Sequence, residues 1–138
     1  MSGWEHFAHG ADIGVRGRGA TPDQAFEQAA LALTAVVTDP ALVRPIEVVR
    51  IHCSAPDLEL LLYEWLNSVV FQMATRRLLL AEFRVRIAGC ELEAEARGEP
   101  VDVARHEPAV EVKGATFTEL AVRQDADSRW RAQCILDV

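Results

Sequence analysis

Two periods of apolar spacing divide this chain. Phe26, Ala29, Ala30, Leu33, Val36 and Val37 recur at three- and four-residue intervals and form one face of a helix. Thr21 is a suitable N-cap for it, Pro22 fits its first position, and Gln24 can complete a capping box back to the Thr21 amide. Asp39 and Pro40 stop it. A second helix starts from residues 54–57 and carries Leu58, Leu61, Leu62, Trp65, Leu66, Val69, Val70 and Met73 as one stripe to about Ala74. Trp65 and Tyr63 within it read as core packing rather than as a ligand cage.

Elsewhere the period is two. Residues 4–9 and 13–18 read as short strands, the second alternating Ile13 and Val15 with Gly14 and Arg16. Residues 46–53 are rich in β-branched side chains and form a third. Phe83, Val85 and Ile87 alternate with Arg84 and Arg86, then Leu92, Ala94 and Ala96 alternate with Glu91, Glu93 and Glu95, a hairpin turning near Gly89. Strands are expected over 109–117, 119–124 and 130–138, with a polar turn at 125–128. The apolar alternation of the last strand runs to Val138, so that end is expected to be docked rather than frayed. Two helices among many strands predict an α+β fold: helices packed on a largely antiparallel or mixed β-sheet, one domain over residues 1–138. Gly17 and Gly19 precede the first helix without the spacing or lysine of a phosphate cradle, and a tight turn is expected there.

With 138 residues, half of them apolar, the chain can bury one core. Acids outnumber bases by 21 to 14, so its field repels phosphate backbones, and strong direct nucleic-acid binding is not expected. Cys53, Cys90 and Cys134 lie in apolar stretches without a C-x-x-C pair and read as buried thiols of a reducing compartment. No basic region followed by an apolar one opens the chain, and the longest apolar stretch is broken by Glu59, Glu64, Asn67 and Gln72. A cytoplasmic protein without a membrane segment is expected.

Few residues offer chemistry. Asp12 sits among small residues where the second strand begins, and two readings stand, a turn-forming acid and a functional one. Asp137 is followed by the α-carboxylate of Val138, and two carboxylates side by side are the hard oxygen donors that Ca²⁺ or Mg²⁺ takes. If Asp12 meets them, a small cation site results. His6, His9 and Asp12 are spaced for zinc on a helix, but not on a strand. His52 and His106 read as solvated histidines. The row Glu91, Glu93 and Glu95 is explained by pairing with Arg84 and Arg86 across the hairpin, and Asp125 with Asp127 by a turn. Lys113 is the one lysine among fourteen basic residues, so its position either requires a compact ammonium or is lysine by chance. No arrangement for nucleophilic catalysis is present.

Five ordered segments carry a family resemblance. They are residues 9–15 (His-Gly-Ala-Asp-Ile-Gly-Val), 62–67 (Leu-Tyr-Glu-Trp-Leu-Asn), Gly98-Glu99-Pro100 with Asp102 and Arg105-His106-Glu107, 111–117 (Glu-Val-Lys-Gly-Ala-Thr-Phe), and the closing Ile135-Leu136-Asp137-Val138. With these the chain resembles the archease family over nearly its whole length. It departs at Gly10, where the family usually has Thr, at Gly114, usually Ala, and at Phe117-Thr118, usually Tyr-His. The resemblance implies a protein that is not itself an enzyme. It implies an activator of GTP-dependent RNA ligases of the RtcB type, promoting their guanylylation and multiple turnover in tRNA splicing or RNA repair. It also implies a metal site of Asp12, Asp137 and Val138 for a divalent hard cation, Ca²⁺ favoured over Mg²⁺, and a part for Lys113 in activating the partner. A stand-alone metal-dependent phosphoester hydrolase, with His9 as base, is the alternative. A chaperone-like binding module with a structural metal is a third reading.

Overall fold

The computed structural model describes residues 2–138. Its first helix, α1 (Pro22–Val37), begins as its start signals predict: the Thr21 hydroxyl accepts from the Gln24 amide at 3.2 Å. The Gln24 side chain closes the turn one residue further back than expected, accepting from the Ala20 amide at 2.9 Å. The second helix, α2 (Leu58–Arg76), is capped by Asp57 and ends on Arg77 in the left-handed region. A third helix of one turn, α3 (Val103–His106), was not expected.

The strands form two wholly antiparallel sheets rather than one. The larger joins β1 (Gly3–His9), β2 (Asp12–Gly19), β8 (Trp130–Asp137) and β6 (Gly114–Ala115) in that order, with β7 (Ala121–Gln124) also on β8. The smaller has the order β3 (Glu47–Ser54), β5 (Glu91–Pro100), β4 (Leu78–Ala88). Both long helices touch both sheets, and so lie between them. The predicted α+β class holds, with the helices as the middle layer.

That position explains the composition of α1. A helix wedged between two sheets is buried on more than one face, and Ala25, Phe26, Ala29, Ala30, Ala32, Leu33 and Thr34 are all fully buried. Alanines keep its backbone thin. Gly17 and Gly19, expected at a tight turn, are strand residues that let β2 lie directly on this helix. A Cβ at Gly17 would overlap the Ala25 carbonyl and the Ala29 amide. In α2 the predicted stripe is the core: Leu61, Leu62, Trp65, Leu66 and Val69 are completely buried, and the Trp65 indole donates to the Phe26 carbonyl at 3.0 Å, joining the helices.

Three expectations change. The strand predicted over 109–117 shrinks to β6, because the segment before it is fixed by isolated main-chain bonds, Ala109 to Val37 at 2.8 Å and Lys113 to Asp137 at 2.8 Å. Strand β4 starts five residues earlier than its alternation suggested, since Leu78, Leu79 and Leu80 are all buried at its start. In β8 the alternation fails because Gln133 and Ile135 are buried as well as Ala132, Cys134 and Leu136. Residues 116–119 fold over that face, where the Thr118 carbonyl accepts from the Ile135 amide at 3.1 Å and the Gln133 side chain donates to the Glu119 carbonyl at 3.1 Å. Cys53 and Cys134 are buried as expected, and burial pushes the Cys134 thiol up to about 12; Cys90 is half-buried beside the Gly89 turn.

Gly17→Ala tests the close packing of β2 on α1. Overpacking at a rigid backbone contact costs roughly 1–3 kcal/mol. Urea denaturation should show a loss at the upper end of that range, and a midpoint equal to wild type would refute the contact.

Candidate functional site

The candidate residues gather at one end of the larger sheet. A two-residue turn, Gly10-Ala11, joins β1 to β2, with Gly10 at φ +59°, and pairs His9 with Asp12. Next along, Ile13 pairs with Leu136, so one further step of the same antiparallel register sets Asp12 opposite Asp137. On the far side of β8, Gly114 pairs with Asp137, and the Lys113 amide donates to the Asp137 carbonyl. Directly paired residues share a sheet face. Asp12 and Asp137 therefore project to the side away from the helices, together with His9, while Ile13 and Leu136 point into the core. Asp137 and Lys113 are exposed, and Asp12 and Val138 half-buried.

This arrangement limits the chemistry. Among the described residues no three His, Cys, Asp or Glu side chains converge as a metal-binding group. The zinc spacing of His6, His9 and Asp12 does not survive folding, because His6 faces the helices and its Nε2 lies 2.7 Å from the Ala32 carbonyl. The groups there that could serve a hard cation are the carboxylates of Asp12 and Asp137 and the α-carboxylate of Val138. Glu111 and Lys113, both within the strand predicted over 109–117, flank the buried Val112 in an irregular segment. Both are exposed, and neither forms an ion pair among the described residues.

Behind these residues stands α2. Asn67 accepts the Ala115 amide through Oδ1 at 2.9 Å, and the same atom would lie 3.0 Å from a methyl group added at Gly114. Tyr63, one turn earlier, stacks on Phe117 with ring centroids 4.3 Å apart. The helix thus holds the segment that carries Lys113 from below.

Comparison with known proteins agrees with this fold. The Archease protein family matches residues 4–138. The chain belongs to the archease family. It is similar to the protein archease of Thermococcus gammatolerans, 40% identical with all of both chains covered. It is 37% identical, again over all of both chains, to that of Pyrococcus abyssi. The solution structure of Methanobacterium thermoautotrophicum protein 1598 is similar at 36% identity, with 99% of both chains covered and a TM-score of 0.86.

Among the segments that carry the archease resemblance, one does something the sequence did not suggest. His106, expected to be solvated, is 1% exposed. Its Nδ1 accepts from the Asp102 amide at 2.8 Å, which leaves the proton on Nε2 to donate to Glu99 at 3.0 Å. Glu99 is itself buried, paired with Arg105 and accepting from the Arg44 amide at 2.7 Å. The Thr38 hydroxyl donates to the His106 carbonyl at 2.6 Å. This cluster fixes the turn through α3 from which the chain runs past Val112 to Lys113. The sequence signal was Asp102 ahead of Arg105, the pattern of an N-cap, with Glu99 nearby.

The Arg105 guanidinium first, then the Arg44 amide and His106, hold the Glu99 carboxyl down at about 2, against an ordinary value of 4.5. A carboxyl depressed on folding contributes stability that is complete above its unfolded value and lost as pH falls through its folded one. Stability should therefore decline between about pH 4.5 and pH 2. Urea midpoints across that range should fall more steeply for the wild type than for Glu99→Gln; parallel curves would show that Glu99 is not the group responsible.

Proposed function

We propose that this chain activates a GTP-dependent RNA ligase of the RtcB type, promoting guanylylation and repeated turnover in tRNA splicing or RNA repair, and that it is not an enzyme itself. Family membership supports the reading, and the observation that carries it is the main-chain pairing that brings Asp12, Asp137 and Lys113 to one sheet end. A sheet end with Asp137 and Lys113 exposed suits action on another protein's site better than enclosure of a small substrate. Asp12, Asp137 and the Val138 α-carboxylate would hold a divalent cation, and Ca²⁺ is favoured because it tolerates irregular oxygen ligation that Mg²⁺ does not. Such a cation would add positive charge beside the phosphates handled by the ligase. Lys113 acts from the adjacent segment as a point charge on those phosphates or near the cation. No helix among the described residues is long and apolar enough to cross a membrane, which is compatible with a cytoplasmic partner.

One observation favours a second reading, the phosphoester hydrolase. His9 pairs with Asp12 on the same face, within reach of the chemistry that a general base would need. The two readings separate when the chain is incubated alone with phosphoester substrates, where an activator is inert.

Asp12→Ala and Asp137→Ala should each leave the fold intact, weaken Ca²⁺ binding by at least about tenfold, the loss of one charged donor, and abolish stimulation of the ligase. Calorimetric titration checks the first effect and ligase guanylylation the second; unchanged cation affinity in both variants removes the two acids from the site.

Lys113→Arg should lose most ligase activation, nearly as much as Lys113→Ala, with thermal stability and cation binding unaltered. A forked planar guanidinium does not occupy the position of an ammonium. Guanylylation rates at matched concentration decide it, and wild-type rates with the Arg variant would show that a particular head group is not required.

A further inference from the structure

In both sheets one outer edge is closed by helix side chains. On β4 the outward amides of Val85 and Ile87 donate to Glu27 at 2.8 Å and Asp23 at 2.9 Å, both from α1. Burial raises the Glu27 carboxyl, which nonetheless keeps that bond. On β7 the Val122 amide donates to Glu59 at 3.3 Å, and on β6 the Ala115 amide to Asn67, both from α2. Edge strands left open pair with other chains, and such covers prevent it.

Strands β1 and β3 carry no such fastening among the described residues, and β3 runs beside a groove. The register of β3 with β5 continues to the Ala55 amide, which donates to the Cys90 carbonyl at 3.2 Å, so the odd-numbered residues bond to β5. In an antiparallel ladder the alternate residues then turn their main-chain groups outward. These are Val48, Arg50 and His52, and among the described residues nothing bonds their amides or carbonyls. A shallow groove runs along this edge, with Arg50, Ile51 and His52 on one side and Glu64, Asn67, Ser68 and Phe71 of α2 on the other. Phe71 is 62% exposed, although it is a large aromatic residue on a helix whose buried stripe lies elsewhere.

We propose that this groove accepts an extended segment of another protein as an added strand on β3, with acidic and apolar residues alternating in that segment. An edge strand facing a helix supplies what strand addition uses: main-chain bonds for affinity and two distinct environments for alternate side chains. A residue opposite Arg50 shares the outer face with Arg50, whose guanidinium is 81% exposed and touches Glu95 through Nη1 at 3.2 Å, so that a carboxylate there meets its remaining N–H groups. Its neighbours in the added strand turn inward, toward Ser68 and Phe71, where an apolar side chain covers the exposed ring. A second copy of this chain fits less well, because centred antiparallel pairing of two β3 edges sets Arg50 against Arg50. The inference concerns the free chain and is independent of the cation and ligase reading.

The test titrates isotopically labelled protein with a capped heptapeptide alternating valine and glutamate. Saturable shifts of the Val48, Arg50 and His52 amides are expected, together with the Phe71 ring. A peptide N-methylated at alternate amides should lose binding, and a valine–lysine peptide should bind at least tenfold more weakly. Arg50→Glu should reverse that preference and Phe71→Ala should weaken binding several-fold; both side chains are exposed, so the dispersed spectrum of the folded chain should be retained. The proposal is overturned if no saturable shift appears on β3, if shifts fall on the edge of β1 at Trp4, His6 and Ala8 instead, or if the lysine peptide binds equally well. It is also overturned if β3 is covered by a second copy, seen as a concentration-dependent rise in mass of the free chain.

Discussion

The contact between β2 and α1 sets the position of almost everything else. Glycine at 17 and 19 and alanine at 25 and 29 let the helix and strand backbones touch, and so let a single helix layer serve two sheets. With β2 held against α1, the core-facing side chains of β2 are Ile13 and Val15, and antiparallel pairing then fixes β8 by matching them to Leu136 and Cys134. A slip of one residue would turn Ile13 and Leu136 out of the core, at a cost of several buried side chains. The alignment of Asp12 with Asp137 therefore follows from hydrophobic register and needs no bond between the two acids. Carboxylates that repel one another can be held side by side because the residues next to them are buried.

A second level of order comes from polar side chains on the same helices. Asp23, Glu27 and Thr34 of α1 bind main-chain groups of β4, while Glu59 and Asn67 of α2 bind those of β7 and β6. On each helix the binding positions recur at close to helical intervals, so the apolar stripe and the polar fastenings are separate faces of one element. A middle layer built this way ties together sheets that share no strand. It also leaves two edges without such a fastening, β1 and β3, of which β3 runs beside a groove with α2.

The two long helices, the hairpin at Gly89 and the first two strands were legible because each is fixed by local signals: caps, stripes, alternation and turn residues. The rest depended on partners distant in sequence. Gly17 and Gly19 carry no mark that distinguishes a turn from a strand pressed against a helix. Gln133 and Ile135 alternate as an outer face should, and are buried because residues 116–119 return across them. His106 looked solvated among charged neighbours, yet Glu99 and Arg105 are the groups that make its burial tolerable. The candidate site was half legible. Asp12, Asp137 and Lys113 stand out in the chain as candidates, but their placement at one sheet end rests on the pairings of β8 with β2 on one side and β6 on the other, which no single segment encodes.

Lys113 shows how these levels combine. Its segment is not a strand, and a short irregular stretch at a sheet end would ordinarily fray. Three unrelated constraints hold it instead. The Glu99, Arg105 and His106 cluster fixes the chain upstream, Val112 is buried in the core, and the Lys113 amide is bonded to Asp137. Downstream, Asn67 holds Ala115 while also lining the groove beside β3. The main chain at Lys113 is thus determined from both sides, while its side chain stays in solvent with no ion-pair partner among the described residues. An ordered backbone beneath a solvent-exposed ammonium leaves only the side chain of Lys113 free to sample rotamers. The main-chain share of the ordering cost is met within the fold, and the side-chain share is the part that any fixed contact of the ammonium would still have to meet.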